Sequence, residues 1–147
     1  MNPDQTRKHA LEIFKAGVDA VDPIKLINEA VDLKGHSLTV KGSSFDLSSY
    51  ENVYIIGIGK AAAAMALPLE KVLGDFLTEG IIIVKYGHTL PLKKVRIIEA
   101  GHPVPDEAGY KGAQECVKIL QRSGNKDLIF FLISGGGSAL FPYPVKG

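Results

Sequence analysis

The sequence has a single cysteine, Cys116, so no internal disulfide framework can form and a reducing compartment is expected. It has almost no net charge, +1 from 17 basic and 16 acidic residues. That balance gives no reason to expect a nucleic acid or an anionic membrane as partner. Arg7-Lys8 and Lys93-Lys94 are the adjacent basic pairs, and both read as solvated faces. No uninterrupted apolar run approaches the ~20 residues of a membrane span. The opening "MNPDQTRKH" has no apolar signal core, and a cytoplasmic protein is expected. The four histidines are scattered without metal-ligand spacing, so no zinc site is expected. Magnesium would need carboxylates brought from elsewhere in the protein.

What the chain does have is a rhythm of strands and helices. Leu11, Phe14, Val18 and Val21 recur at helical spacing after a cap at Asp4 or Thr6. Asp22-Pro23 breaks that helix and opens a second, "PIKLINEAV". "KGHSLTVKGSSFDLSSY" reads as a short hairpin or loop. "VYIIGIG", "GIIIVKYGH", "VRIIEAGH" and "DLIFFLIS" then read as four strands of a buried parallel sheet. "KAAAAMALPLEKVL", which Pro68 should kink or shorten, is a helix ending at Gly74. A second, from a cap near Asp106 to Gly124, precedes the last strand. The expected fold is α/β: a Rossmann-like, mostly parallel sheet with flanking helices, preceded by a short helical segment.

The unusual residues all follow a strand, where an open parallel sheet forms its binding crevice. "GIGKAA", Gly57 to Ala62, matches G-x-G-x-x-G/A between strand and helix, and Gly57 and Gly59 would let the backbone approach an anion. A dinucleotide site would need an acid after the second strand, where Lys85-Tyr86 stands. A Walker A loop would need glycine at Tyr54 and a hydroxyl at Ala61. Lys60 is the distinctive residue, a cation in the first turn of a helix, where an anion would offset its unfavourable place on the helix dipole. "SGGGS" sets the consecutive N–H groups of Gly135, Gly136 and Gly137 between the hydroxyls of Ser134 and Ser138, a nest for phosphate, carboxylate or oxyanion. A hydrolase elbow around Ser138 would need glycine where Leu140 stands. Lys85 and His88 in "VKYGH", and His102 in "EAGHPVPDE", are candidates for acid–base work or ligand positioning. Asp106 is expected to cap the helix that follows it.

In that order, "GIGKAA", "VKYGH", "EAGHPVPDEAG" and "LISGGGSAL" resemble the N-terminal part of the MOFRL-type glycerate 2-kinases, and the preamble "ALEIFKAGVDAVDP" is similar too. The resemblance implies an ATP-dependent, Mg²⁺-requiring phosphotransferase that converts glycerate to 2-phosphoglycerate. It implies a large Rossmann-like domain, a smaller α/β domain and an active site between them that includes Lys60. Family members run to several hundred residues. Residues 1–147 are therefore expected to form an incomplete domain, the N-terminal part of the large one, inactive alone, with the second domain and the metal ligands outside this chain. An unpaired sheet edge should favour association, so a homo-oligomer is possible. Lys60 would stabilise negative charge on substrate or phosphoryl group, or take the substrate hydroxyl proton; the first role is favoured. "GIGK" also resembles phosphosugar-binding, sugar-isomerase-type domains, which leaves a regulatory binding module as the alternative, and a non-catalytic remnant as a third.

Overall fold

Asn2 and Asp22 start the first two helices. The computed structural model describes residues 2–145. In it the Asn2 side chain accepts the Asp4 N–H and caps α1 (Pro3–Asp19). Asp22 accepts from Ile24 and Lys25 at 2.8 and 3.2 Å and caps α2 (Pro23–Ala30). Helix α1 has no buried residue, and Phe14 on its apolar stripe is 67% exposed.

The segment read as a hairpin or loop is a three-stranded antiparallel sheet: β1 (Val31–Lys34), β2 (Ser37–Val40) and β3 (Ser43–Asp46). Its register stacks Leu33, Leu38 and Phe45 in one row, with Val31 opposite Val40. Leu38 is fully buried, and that row joins the core formed with the helix Ala62–Leu73 and the main sheet. One face is apolar and the other wet, as antiparallel sheets allow.

The main sheet is parallel throughout. It contains β4 (Asn52–Ile58), β5 (Glu79–Lys85), β6 (Val95–Ala100) and β7 (Asp127–Ile133), in the order β6-β5-β4-β7. Alternate residues of a strand point to opposite faces. Val53, Ile55, Ile82 and Val84 meet Ala62, Ala66, Leu69 and Leu73 of α3 (Ala62–Leu73) on one side. Tyr54, Ile56, Ile81 and Ile83 meet Cys116 and Ile119 of α4 (Glu107–Arg122) on the other. Burial on both faces is what makes these strands read as unbroken apolar runs. Pro68 neither ends nor shortens α3, which runs on to Leu73 and stops at Gly74. Arg96–Glu115 and Arg122–Glu79 ion pairs tie α4 to β6 and β5. A short helix, α5 (Gly137–Leu140), follows β7 and buries Leu140. β7 is an edge strand, and on its α4 side Phe131 and Ile133 are 54% and 66% exposed.

Candidate functional site

From β4 the chain steps outward to β5 and β6, then returns to place β7 on the other side of β4. The carboxyl ends of β4 and β7 therefore flank a topological switch point, where open α/β sheets bind ligands.

Three hydrogen bonds join the loops that leave these two strands. Ser134 N–H donates to the Ile58 carbonyl at 2.9 Å, and Lys60 N–H to the Gly135 carbonyl at 3.0 Å. Ala61 N–H donates to Ser134 Oγ, also at 3.0 Å. Gly59 lies at the point of contact with φ +118°, and a Cβ there would be 2.2 Å from Ser134 Oγ and 2.5 Å from the Ser134 carbonyl oxygen. A Cβ on Gly57 would be 2.5 Å from Ile82 Cγ2.

These contacts correct the expectation that Gly57 and Gly59 open the backbone to an anion. Protein fills the space beside both glycines. The Gly59, Lys60, Ala61 and Ala62 N–H groups are all spent on protein oxygens. Helix α3 starts only at Ala62, so Lys60 sits on the connecting turn and not in the helix.

The second glycine motif is free. None of the N–H groups of Gly135, Gly136, Gly137 and Ser138 has a protein acceptor among the described residues. The loop turns at Gly136 with φ +95°. Two cationic or ionisable side chains converge there: a Cβ on Gly136 would lie 2.8 Å from His102 Cδ2, 2.9 Å from His102 Nε2 and 3.5 Å from Lys60 Cε. Among the described residues, neither Lys60 nor Lys85 has a carboxylate partner. His88 Nδ1 lies 3.2 Å from the Lys60 carbonyl oxygen. That oxygen can only accept, so Nδ1 carries the hydrogen in this contact.

Sequence reasoning missed a second layer. Tyr86 donates its hydroxyl to Asp106 Oδ2 at 2.8 Å. Asp106 Oδ1 accepts the Gly109 N–H at 3.0 Å and caps α4 as expected. Glu99 Oε1 accepts the Gly87 N–H at 2.6 Å. The Gly109 and Gly101 N–H groups, with the Tyr86 hydroxyl, hold the Asp106 carboxyl below its ordinary pKa. Donation to Asp106 raises the Tyr86 phenol in turn. Nothing in "VKYGH" alone marks Tyr86 as a loop tie; its partner is 20 residues away.

The structure thus brings together Lys60, Ser134, Gly135, Gly136 and His102, with His88 behind the Lys60 backbone. Lys85 is half-buried at the end of β5, paired in register with Ala100, and Ser138 is exposed on α5. Neither side chain makes a hydrogen bond to the other site residues among those described. No group of three His, Cys, Asp or Glu side chains among the described residues could hold a metal. Asp106 and Glu99, the acids in these loops, are committed to backbone and tyrosine donors, so these residues do not fit a magnesium site. A cavity of about 670 Å³ lies elsewhere, toward the amino ends of the strands, between α2, α3 and residues 91–94. The buried Glu70 lines it, but its carboxylate is spent on the N–H groups of Lys93, Lys94 and Val95. No helix is long and apolar enough to cross a membrane.

Comparison with known proteins agrees with this architecture. The model of a family described as "Domain of unknown function (DUF4147)" matches residues 9–147. A glycerate 2-kinase of Pyrococcus horikoshii is 40% identical over 141 residues, covering 96% of this chain and 31% of the relative. A D-glycerate 2-kinase of Thermotoga maritima is 33% identical over 147 residues, covering 99% and 32%. A crystal structure of a Pyrococcus horikoshii protein superposes with a TM-score of 0.84 at 39% identity, over 97% of this chain and 32% of that one. The crystal structure of Thermotoga maritima glycerate kinase gives 0.75 at 33% identity, over 98% and 32%. The chain spans about a third of the length of the curated relatives it matches.

Proposed function

The chain belongs to the DUF4147 family, and from that membership we propose that it forms part of a glycerate 2-kinase, transferring a phosphoryl group from ATP to a glycerate hydroxyl. In this reading residues 1–147 are the first part of a large Rossmann-like domain, and a second α/β domain, outside this chain, completes the cleft. The names of the glycerate 2-kinase relatives support the reaction. The observation that carries the site is the convergence of a carboxylate-free Lys60 and four unused N–H groups, Gly135 to Ser138, at the switch point.

Phosphoryl transfer is mostly positioning and charge neutralisation. The glycerate hydroxyl oxygen attacks the γ-phosphorus, the bond to ADP breaks and the hydroxyl proton is released. The Gly135–Ser138 N–H groups would cradle an anionic oxygen of substrate or phosphate. The Lys60 ammonium, able to reach the same space, would offset charge that grows in the transition state. His102 forms the adjoining wall, and Ser134 keeps its hydroxyl hydrogen to donate while its oxygen holds Ala61. Gly59 acts by permitting the close contact with Ser134, and Gly57 by leaving room for Ile82 and Ala62 beside β4. The metal ligands lie outside the described residues in this reading. The reading takes the enzyme to be cytoplasmic, in keeping with the free thiol of Cys116.

The test is a chimera in which this chain replaces the corresponding segment of the Pyrococcus relative. Glycerate-dependent ADP release is expected from the chimera and not from the 147-residue chain alone. Lys60→Ala in the chimera should lower kcat by about 10²–10³-fold with the fold intact. A folded chimera without turnover, or near-normal turnover in the Lys60 variant, sinks the assignment. Sugar-phosphate binding independent of nucleotide would favour a phosphosugar-binding module instead.

A further inference from the structure

Tyr86 is 55% exposed, so burial does little to explain an aromatic residue at this place. Its hydroxyl is nonetheless engaged with Asp106 Oδ2 at 2.8 Å. Asp106 closes a tight loop, residues 101–106, back onto itself. A Cβ on Gly101 would lie 2.6 Å from the Val104 carbonyl oxygen and 3.1 Å from Asp106 Oδ2. That loop carries His102, whose ring rests on Gly136 of the glycine loop. On its other side Tyr86 continues into a short turn in which His88 N–H donates to the Lys85 carbonyl and His88 Nδ1 reaches the Lys60 carbonyl. One run of hydrogen bonds therefore links the ends of β6, β5 and β4, and the Tyr86–Asp106 bond is its exposed middle.

We propose that Tyr86 is a positioning residue for the cleft: through Asp106 it holds the 101–106 loop so that the His102 ring stays seated against Gly136 and walls one side of the anion site. The anion part of this inference rests on the reading of Gly135–Ser138 given above; the seating of His102 does not. The phenol is suited to the task because it is stiff, needing only two torsions fixed, and because a hydrogen bond to a carboxylate is stronger than one between neutral groups. Loss of the hydroxyl leaves Asp106 with both backbone donors, so α4 keeps its cap and the fold should stand.

The experiment uses the 147-residue chain, labelled for NMR, and inorganic phosphate as the probe. In the wild type, a nuclear Overhauser contact between the His102 ring Hδ2 and the Gly136 α-hydrogens is expected, and phosphate should shift the Gly135–Ser138 amides. In Tyr86→Phe that contact should weaken or vanish and the phosphate Kd should rise about three- to tenfold, with the melting temperature nearly unchanged. Asp106→Ser keeps an N-cap for α4 but is too short to meet Tyr86, and should reproduce both effects. An unchanged His102–Gly136 contact in either folded variant overturns the proposal. If phosphate fails to shift the wild-type amides, the anion reading falls, while the ring contact still decides the role of Tyr86.

Discussion

The backbone N–H of Lys60 donates to the backbone carbonyl of Gly135 at 3.0 Å. A residue on the β4–α3 turn is thereby fixed to the loop after β7, 75 residues later in the chain. Two main-chain bonds and the Ser134 hydroxyl thereby set the spacing between the Lys60 backbone and the unused N–H groups of Gly135 to Ser138.

Gly59→Ala tests that contact. The new methyl would meet Ser134 at 2.2–2.7 Å, and the residue would have to keep φ +118°. Backbone strain and overpacking together should destabilise the chain by about 2–5 kcal/mol in urea denaturation. Gly74→Ala, at φ +53° and ψ −120° with nothing within 4 Å of its Cβ, should cost about 1–3 kcal/mol from backbone strain alone. Equal losses at the two positions would mean that the loops separate easily.

Glu70→Ala should be costly although Glu70 lies far from the carboxyl ends of the strands. Its carboxylate accepts from Lys93, Lys94 and Val95 N–H at 2.7, 3.3 and 3.0 Å. Removing it strands these donors, and Val95 is buried. A loss of about 1–3 kcal/mol is expected in the same assay, with the phosphate response of the Gly135–Ser138 amides retained.

Cys116 should resist thiol reagents in the folded chain. Burial between α4 and the sheet pushes its thiol up from 9.0 to about 11. At pH 8 the thiolate is scarce and inaccessible, so modification should follow unfolding and accelerate sharply in denaturant. Rapid labelling of the native protein at pH 8 would contradict this placement.

The Tyr86–Asp106 bond predicts a pH signature. The Asp106 carboxyl is depressed by Gly109, Gly101 and Tyr86, so its stabilisation is present above about pH 4, the unfolded carboxylate pKa, and lost as pH falls through the folded value. The Tyr86 phenol is raised by Asp106, so its stabilisation is present below about pH 10 and lost as pH rises through the folded value. The stability difference between wild type and Tyr86→Phe should be widest between these limits and shrink beyond each. Denaturation curves at pH 3, 7 and 11 measure it; a constant difference would mean the hydroxyl does not bond Asp106 in solution.

The strands of the main sheet were legible because burial on both faces leaves unbroken apolar runs such as "VYII" and "GIIIV". The β1–β3 sheet was not. Its strands are four residues long and apolar on one face only; Val31 and Leu33 alternate as Leu38 and Val40 do, but Val31 also continues the helical run "PIKLINEAV". The two glycine motifs looked alike in sequence but differ in structure. A glycine that admits an anion and one that admits a neighbouring loop are the same letter, and only the pairing of β4 with β7 tells them apart. The meeting of Lys60, His102 and Gly136 likewise depends on strand order, which local pattern does not encode. Pro68 is expected to kink or shorten α3, and the helix is not shortened; the missing N–H is one bond in a helix held by burial of Ala66, Leu69 and Leu73.

β7 has one side zipped to β4 and, among the described residues, the other unpaired, and the glycine loop hangs from its tip. A second β-strand that paired along this free side would brace the same backbone that the proposed anion would brace at the loop. Where two such events share one strand, any influence runs both ways in equal measure: whatever factor the added strand lends to anion affinity, the anion lends to strand addition. The loop's affinity is then a property of the sheet's neighbours as much as of its own glycines.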